Sequence, residues 1–149
     1  MTIFSVLKQE HRNMDKLFAD LMDPPEDSDK TRGELFQLLK QELIAHAQAE
    51  HQSLYDRLVD EPATHDMIVK SEDEHAEVAD ILADMEAMPD TDPHWVPKLV
   101  ALKAHVDDHV AEEEKVIFPR AKAILEKNEQ LEIAEDFRDR KYFLLETWA

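Results

Sequence analysis

Two short strings in this chain set a histidine and a glutamate four residues apart, 46-HAQAE-50 and 109-HVAEE-113. Residues four apart lie one above the other on the same face of an α-helix. Around the second string, Leu99, Leu102, Val106, His109, Glu113 and Val116 advance by threes and fours, the apolar stripe of a bundle helix. His109 and Glu113 therefore stand where the pattern calls for leucine. A buried carboxylate without a partner is costly, so it needs a cation or strong donors to offset it. An inward-facing His and Glu one turn apart point to a metal ion.

The first string is a copy of the second, displaced by the 63 residues that separate His46 from His109. In that register Leu39 matches Leu102, Leu43 matches Val106, Glu50 matches Glu113, Leu54 matches Ile117 and Tyr55 matches Phe118. Two inward His-x-x-x-Glu pairs on separate helices are a much more specific signal than one.

The elements that must position these pairs are helices. Helix A is expected from Thr2 or Ser5 to Met22, with the stripe Phe4, Leu7, His11, Met14, Phe18 and Leu21, and it ends in the polar loop 23-DPPEDSD-29. Helix B is expected from Ser28 or Asp29 to Asp60, on Phe36, Leu39, Leu43, His46, Glu50 and either Leu54 or Arg57. Helix C opens at Glu61-Pro62, with proline in the first turn, and runs to Met88 on Ile68, Ser71 or Glu72, His75, Val78, Leu82 and Met85. Helix D runs from Pro97 to Glu126 after a loop with three prolines. Asn128 is placed to cap a helix E over 129–148, whose Leu131, Phe137, Phe143 and Leu144 would cover the bundle. The fold class is thus all-α: an antiparallel up-down four-helix bundle over 1–126 with an additional C-terminal helix over 127–149, a single domain overall.

Counting from the connections places the histidines at one level. His46 and Glu50 centre fourteen residues before the B–C turn and His75 stands thirteen after it, while His75 and His109 are each seventeen from the C–D loop. His11 and His46 are about equally distant from the A–B loop. With a constant rise per residue along each helix, His11, His46, His75 and His109 share one layer halfway along the bundle.

Composition narrows the function classes. The chain has 149 residues, one glycine and no cysteine, so thiolate metal sites and disulfides are excluded. Seventeen Lys and Arg stand against 35 Asp and Glu, a net charge of −18 that repels phosphate backbones and anionic lipid. Nucleic-acid and membrane partners are therefore not expected. The N-terminus lacks the basic and apolar regions of a signal peptide, and no apolar run approaches a membrane span; the expected location is cytoplasmic.

Imidazole and carboxylate without thiolate suit iron, manganese or zinc. Six candidate ligands, His11, His46, Glu50, His75, His109 and Glu113, exceed the four of a tetrahedral zinc site. Two of them are carboxylates able to bridge, which suits two metals better than one and leaves open positions for small ligands. The ferritin-type plan needs two Glu-x-x-His motifs, and only Glu72 to His75 supplies one.

With these strings in hand, the chain resembles the hemerythrin-like, or HHE cation-binding, family over residues 3 to about 125. The resemblance rests on Glu10-His11, on His46 to Glu50 followed by Leu54-Tyr55, on Glu74-His75, and on 109-HVAEEEKVIFP-119. It implies a non-heme, oxo- or hydroxo-bridged pair of irons, with Glu50 and Glu113 bridging, the four histidines as terminal ligands, and dioxygen, peroxide or nitric oxide at an open position. Manganese or zinc is the lesser alternative. The oxygen-carrying members have His-x-x-x-His on the third helix, but Ser71 and Ala79 flank His75 here, and their last helix spaces His and carboxylate by five rather than four. One ligand is thus missing or supplied from elsewhere, by His105, by Glu72, or by His51, which is turned away from the Glu50 face.

Other residues carry weaker signals. His65 and His94 are expected in solvent, as are Glu112 and Glu114 beside Glu113. Tyr55 and Phe118 are expected to pack beside the layer, with Tyr55 also able to donate a hydrogen bond. Asp15 is either a partner for an imidazole or exposed. Three functions fit such a site: small-ligand binding for stress protection, storage or sensing, with a redox or signalling partner; an enzyme consuming peroxide or nitric oxide; and iron sequestration or donation. A metal-free bundle with His and Glu pairing among themselves is disfavoured by its own instability.

Overall fold

The structure, a computed structural model, describes residues 1–148, and every regular element among them is helical. In chain order these are α1 (Ile3–Met22), α2 (Arg32–Glu50), a π-helical turn π1 (His51–Tyr55), α3 (Asp56–Leu58), α4 (His65–Glu86), α5 (Trp95–Glu112), a second π-helical turn π2 (Glu113–Ile117), α6 (Phe118–Ile124) and α7 (Lys127–Trp148). Because α2, π1 and α3 run on without a break, as do α5, π2 and α6, the chain makes five helical rods. Helix α1 packs on α2, α4 packs on α5, and α7 lies against both α1 and α2.

The ends of the rods differ from the sequence expectation where local hydrogen bonds decide them. Helix α2 begins at Arg32 rather than Ser28 or Asp29, because Thr31 and Glu34 form a reciprocal capping box. Pro62 does not open α4. It sits in a turn closed by the Thr64 hydroxyl, which donates to the Leu58 carbonyl at 2.6 Å, and the helix starts at His65. Helix α5 starts two residues before Pro97, at Trp95, whose buried ring meets Phe36 edge-on at 5.7 Å. Asn128 lies inside α7; the cap is made by Glu129, whose carboxylate accepts from the Glu126 amide at 3.0 Å.

Two apolar cores fill the bundle. One contains Ile3, Leu7, Leu54, Leu58, Phe118 and Phe137, and the other Phe18, Leu39, Leu82, Trp95, Leu99 and Leu102. The stripe residues His11, His46, Glu50, His109 and Glu113 are buried between them. A polar layer thus interrupts an otherwise continuous hydrophobic interior. Helix α7 covers the first core with Ile133, Ala134 and Phe137, whereas Leu131 and Phe143 point to solvent.

The paired π turns begin where the two His-x-x-x-Glu strings end. In each, the closing bond spans five residues, from the Asp56 amide to His51 and from the Phe118 amide to Glu113. Such a widened turn carries one residue more than an α turn and shifts the phase of everything after it. Val116, inside on an uninterrupted α count, is therefore turned outward, and Ile117 and Phe118 are buried in its place. Behind Glu50 the same shift brings Leu54 and Tyr55 together into the core and leaves Arg57 exposed.

Candidate metal centre

All six residues expected at the centre come together, from four rods. One ligand atom from each of His11, His46 and Glu113 lies within 4.8 Å of the others, and the same holds for Glu50, His75 and His109. The two triads adjoin. His75 Nε2 is 3.5 Å from Glu50 and 3.1 Å from His109 Nε2, while Glu50 and Glu113 lie near His46 and His109 of their own rods, at 3.9 and 3.6 Å. Glu50 and Glu113 are wholly buried.

The outward ring nitrogens are held by a second set of acids. Glu114 meets His11 Nδ1 at 2.6 Å, Glu10 meets His46 Nδ1 at 3.2 Å, and Glu74 meets His109 Nδ1 at 3.1 Å. A carboxylate on Nδ1 draws the ring proton to that side and presents the Nε2 lone pair inward, the arrangement that orients imidazoles toward metals. Glu10 and Glu74 each serve a histidine on a neighbouring rod rather than the one beside them in sequence, and Glu114 reaches across to His11 on α1. Helix α7 adds a cation to this set: Lys141 Nζ lies 2.7 Å from Glu10 and 2.6 Å from Glu42.

Aromatic rings wall the layer. Phe118 stacks on His11, Tyr55 stacks on His75 at 5.6 Å, and the edge of Phe137 meets His46. Tyr55 does more than pack. Its hydroxyl donates to Glu113 and lies 2.5 Å from Ser71 Oγ. The small side chain of Ser71, one turn before His75, leaves the space that the phenol fills. The hydroxyl that stands beside Glu113 is thus Tyr55's.

Of the other donors expected from the sequence, His105 is half exposed and faces Glu77 at 3.6 Å, while His51 and Glu72 pair with each other at 2.7 Å; none joins either triad. Asp15 is exposed. Glu112 is a surface acid paired with Lys70, as expected, but Glu114 is not merely solvated, since His11 holds it.

Electrostatics of the side chains alone show strain that a cation relieves. Burial and the neighbouring Glu113 push the Glu50 carboxyl far up. Burial would raise Glu113 too, but His109 and His11 hold it well below the usual range. Burial also opposes charge on His109, yet Glu113 and Glu74 raise it to about 10, whereas burial and the charged His109 depress His75 to about 3. Among the described residues, four buried side-chain atoms still lack hydrogen-bond partners: His11 Nε2, both oxygens of Glu50 and Oε1 of Glu113. His11 Nε2 and Glu113 Oε1 approach to 3.0 Å, but without the alignment of a hydrogen bond. Unsatisfied, inward-facing and all of ligand type, these atoms fit metal ions.

Residues 2–121 match the family described as Hemerythrin HHE cation binding domain. The chain belongs to that family. This HHE domain therefore binds metal cations, and its helices overlay a crystal structure of an HHE cation binding domain-containing protein from Mycobacterium kansasii. That likeness has a TM-score of 0.82 at 25% identity, over 97% of this chain and 87% of that one. A protein named DNA nickase from Nostoc sp. (strain PCC 7120) is 28% identical over 144 residues, 95% of this chain and 39% of that protein. The HHE domain thus spans about two fifths of that relative's length. Helix α7 lies beyond the family match.

Proposed function

We propose that this HHE domain holds two iron ions between the triads His11/His46/Glu113 and Glu50/His75/His109, and binds dioxygen, peroxide or nitric oxide there. The carrying observation is the pair of adjoining buried triads with orphaned inward-facing atoms. Six imidazole and carboxylate donors without thiolate suit iron, and each ion would have three protein ligands. Glu50 and Glu113, each in one triad and close to the other, are the carboxylates that would bridge the pair. When bound, the iron pair supplies one- and two-electron redox chemistry toward small oxygen- and nitrogen-containing ligands.

The protein's own part is orientation, proton control and access. Glu114, Glu10 and Glu74 fix the tautomers of three ligand histidines. Tyr55 offers a hydroxyl proton beside Glu113, and its phenol is kept protonated by burial and by the two carboxylates. A cavity of about 390 Å3 reaches the layer, with all four ligand histidines in its wall.

Stress protection by consuming peroxide or nitric oxide is the task that such a redox-active pair, reachable from solvent, would serve. Nicking of DNA has no such support in this chain, since its net charge of −18 opposes a phosphate backbone. The test is to add dioxygen, peroxide or nitric oxide to the reduced, iron-loaded protein and follow its visible spectrum and the consumption of each ligand. Rapid spectral change with at least one of them supports the reading. An inert spectrum with all three contradicts it.

A further inference from the structure

The cavity that reaches the histidine layer is built for more than a diatomic ligand. At about 390 Å3, the space between the histidines included, it falls in the range of pockets that hold organic ligands. Beyond the histidines its inner wall is apolar, made by Met14, Leu43, Val78, Leu82, Val106 and Val110. Water gains little from such a wall, so the space favours an apolar guest.

The opening lies between α2 and α4, where Gln48 and Gln52 face Ala76 and Ala79 and all four are exposed. Two alanines on the lip of α4 leave the gap that longer side chains would close. At one side, the His51–Glu72 pair joins π1 to α4 across 2.7 Å. No Lys or Arg lines any part of the cavity, and the only cationic candidate on its lip, His51, is already matched by Glu72. A carboxylate or phosphate would find no counter-ion in the outer part and would meet a chain of net charge −18.

We infer that the cavity binds a neutral, mainly apolar organic molecule up to the size of a few aromatic rings, held beside the metal centre by Leu43, Val78, Leu82 and Val106. The proposal rests on the iron reading only for what stands at the inner end. The apolar wall itself binds such a molecule with or without metal.

The probe is N-phenyl-1-naphthylamine, an uncharged molecule that fluoresces in apolar surroundings, titrated into the metal-loaded and the chelator-treated protein. Saturable binding of one probe per chain is expected. Ala79→Trp, on the exposed lip, is expected to weaken it by roughly tenfold or more, while Leu131→Trp, on the remote face of α7, leaves it unchanged. Circular dichroism of both variants establishes that they fold. Absence of saturable binding in folded wild-type protein, or equal binding by Ala79→Trp, overturns the proposal and leaves the cavity as a corridor for diatomic ligands. Equal binding by the metal-loaded and the chelator-treated protein upholds the cavity whatever the centre holds, so failure of the iron reading is told apart from failure of this one.

Discussion

Lys141 Nζ lies 2.7 Å from Oε1 of Glu10, and that same oxygen is 3.2 Å from Nδ1 of His46. The C-terminal helix thereby sets a positive charge two contacts from a proposed iron ligand. Both side chains of the Lys141–Glu10 pair are largely buried, so solvent screens the charge poorly. Lys141→Met leaves the full Glu10 charge directed at the His46 ring, and negative charge near a metal stabilises its oxidised form. Redox titration of the iron-loaded variant is expected to give a lower reduction potential than wild type, with Lys141→Arg restoring it. Glu10→Gln removes the orienting carboxylate itself, and chelator competition is expected to show a metal affinity lower by roughly 10–100-fold. Unchanged potential in Lys141→Met together with unchanged affinity in Glu10→Gln would remove both residues from the centre.

Much of this centre is legible in the sequence, because an apolar stripe interrupted by His and Glu reports burial and ligand type at once. His11, His46, Glu50, His109 and Glu113 sit in stripes whose neighbours Leu7, Met14, Leu43 and Val106 are buried as the periodicity requires. The supporting acids are not legible in the same way. Glu10, Glu74 and Glu114 adjoin a candidate ligand in the chain, but the next residue on a helix points about a quarter-turn round it, toward a neighbouring rod. What it meets there depends on packing. Lys141 is more than a hundred residues from its partner, and no local pattern marks it. Val116 is misplaced by an α count because the π turn adds a residue, and Leu131 and Phe143 because only one face of α7 touches the bundle.

Tyr55 is expected to act as a hydrogen-bond donor and not only as a packing ring. Tyr55→Phe keeps the ring against His75 but removes the proton given to Glu113. Loss of a buried bond to a charged group costs about 1.5–3 kcal/mol. Urea unfolding of the metal-free variant checks this figure, and a change under 0.5 kcal/mol would show that the hydroxyl is not needed.

The donors set aside by the geometry give a negative control. His105→Ala and Glu72→Gln each alter a residue outside both triads. Metal content per chain is expected to stay at the wild-type value in each, measured by elemental analysis after identical purification. Loss of one metal in either variant would restore that residue as a ligand.

Acid sensitivity of the metal-free protein follows from two depressed groups. Glu10 falls from 4.5 to about 2, despite burial, through His46 and Lys141. Its contribution to stability is complete above pH 4.5 and is lost as pH falls through 2. His75 falls from 6.5 to about 3, chiefly by burial. Below pH 6.5 the unfolded chain takes up that proton while the folded one does not, so stability declines from pH 6.5 toward 3. Glu50, whose carboxyl is raised, works the other way above pH 4.5 and offsets the His75 contribution there. Urea midpoints of the metal-free protein are thus expected to fall mainly below pH 4.5, and Glu10→Gln to lessen that fall; a wild-type profile flat below pH 4.5 would contradict the Glu10 assignment.

The most direct test is the metal content and optical spectrum of aerobically purified wild-type protein beside Glu113→Ala. Two irons per chain in the wild type, with near-ultraviolet ligand-to-metal bands that Glu113→Ala loses along with most of its iron, is the predicted result. Zinc alone, or no metal in a wild type that is as stable as its Glu113→Ala variant, would contradict it and leave the buried histidines and glutamates as a polar network within the bundle.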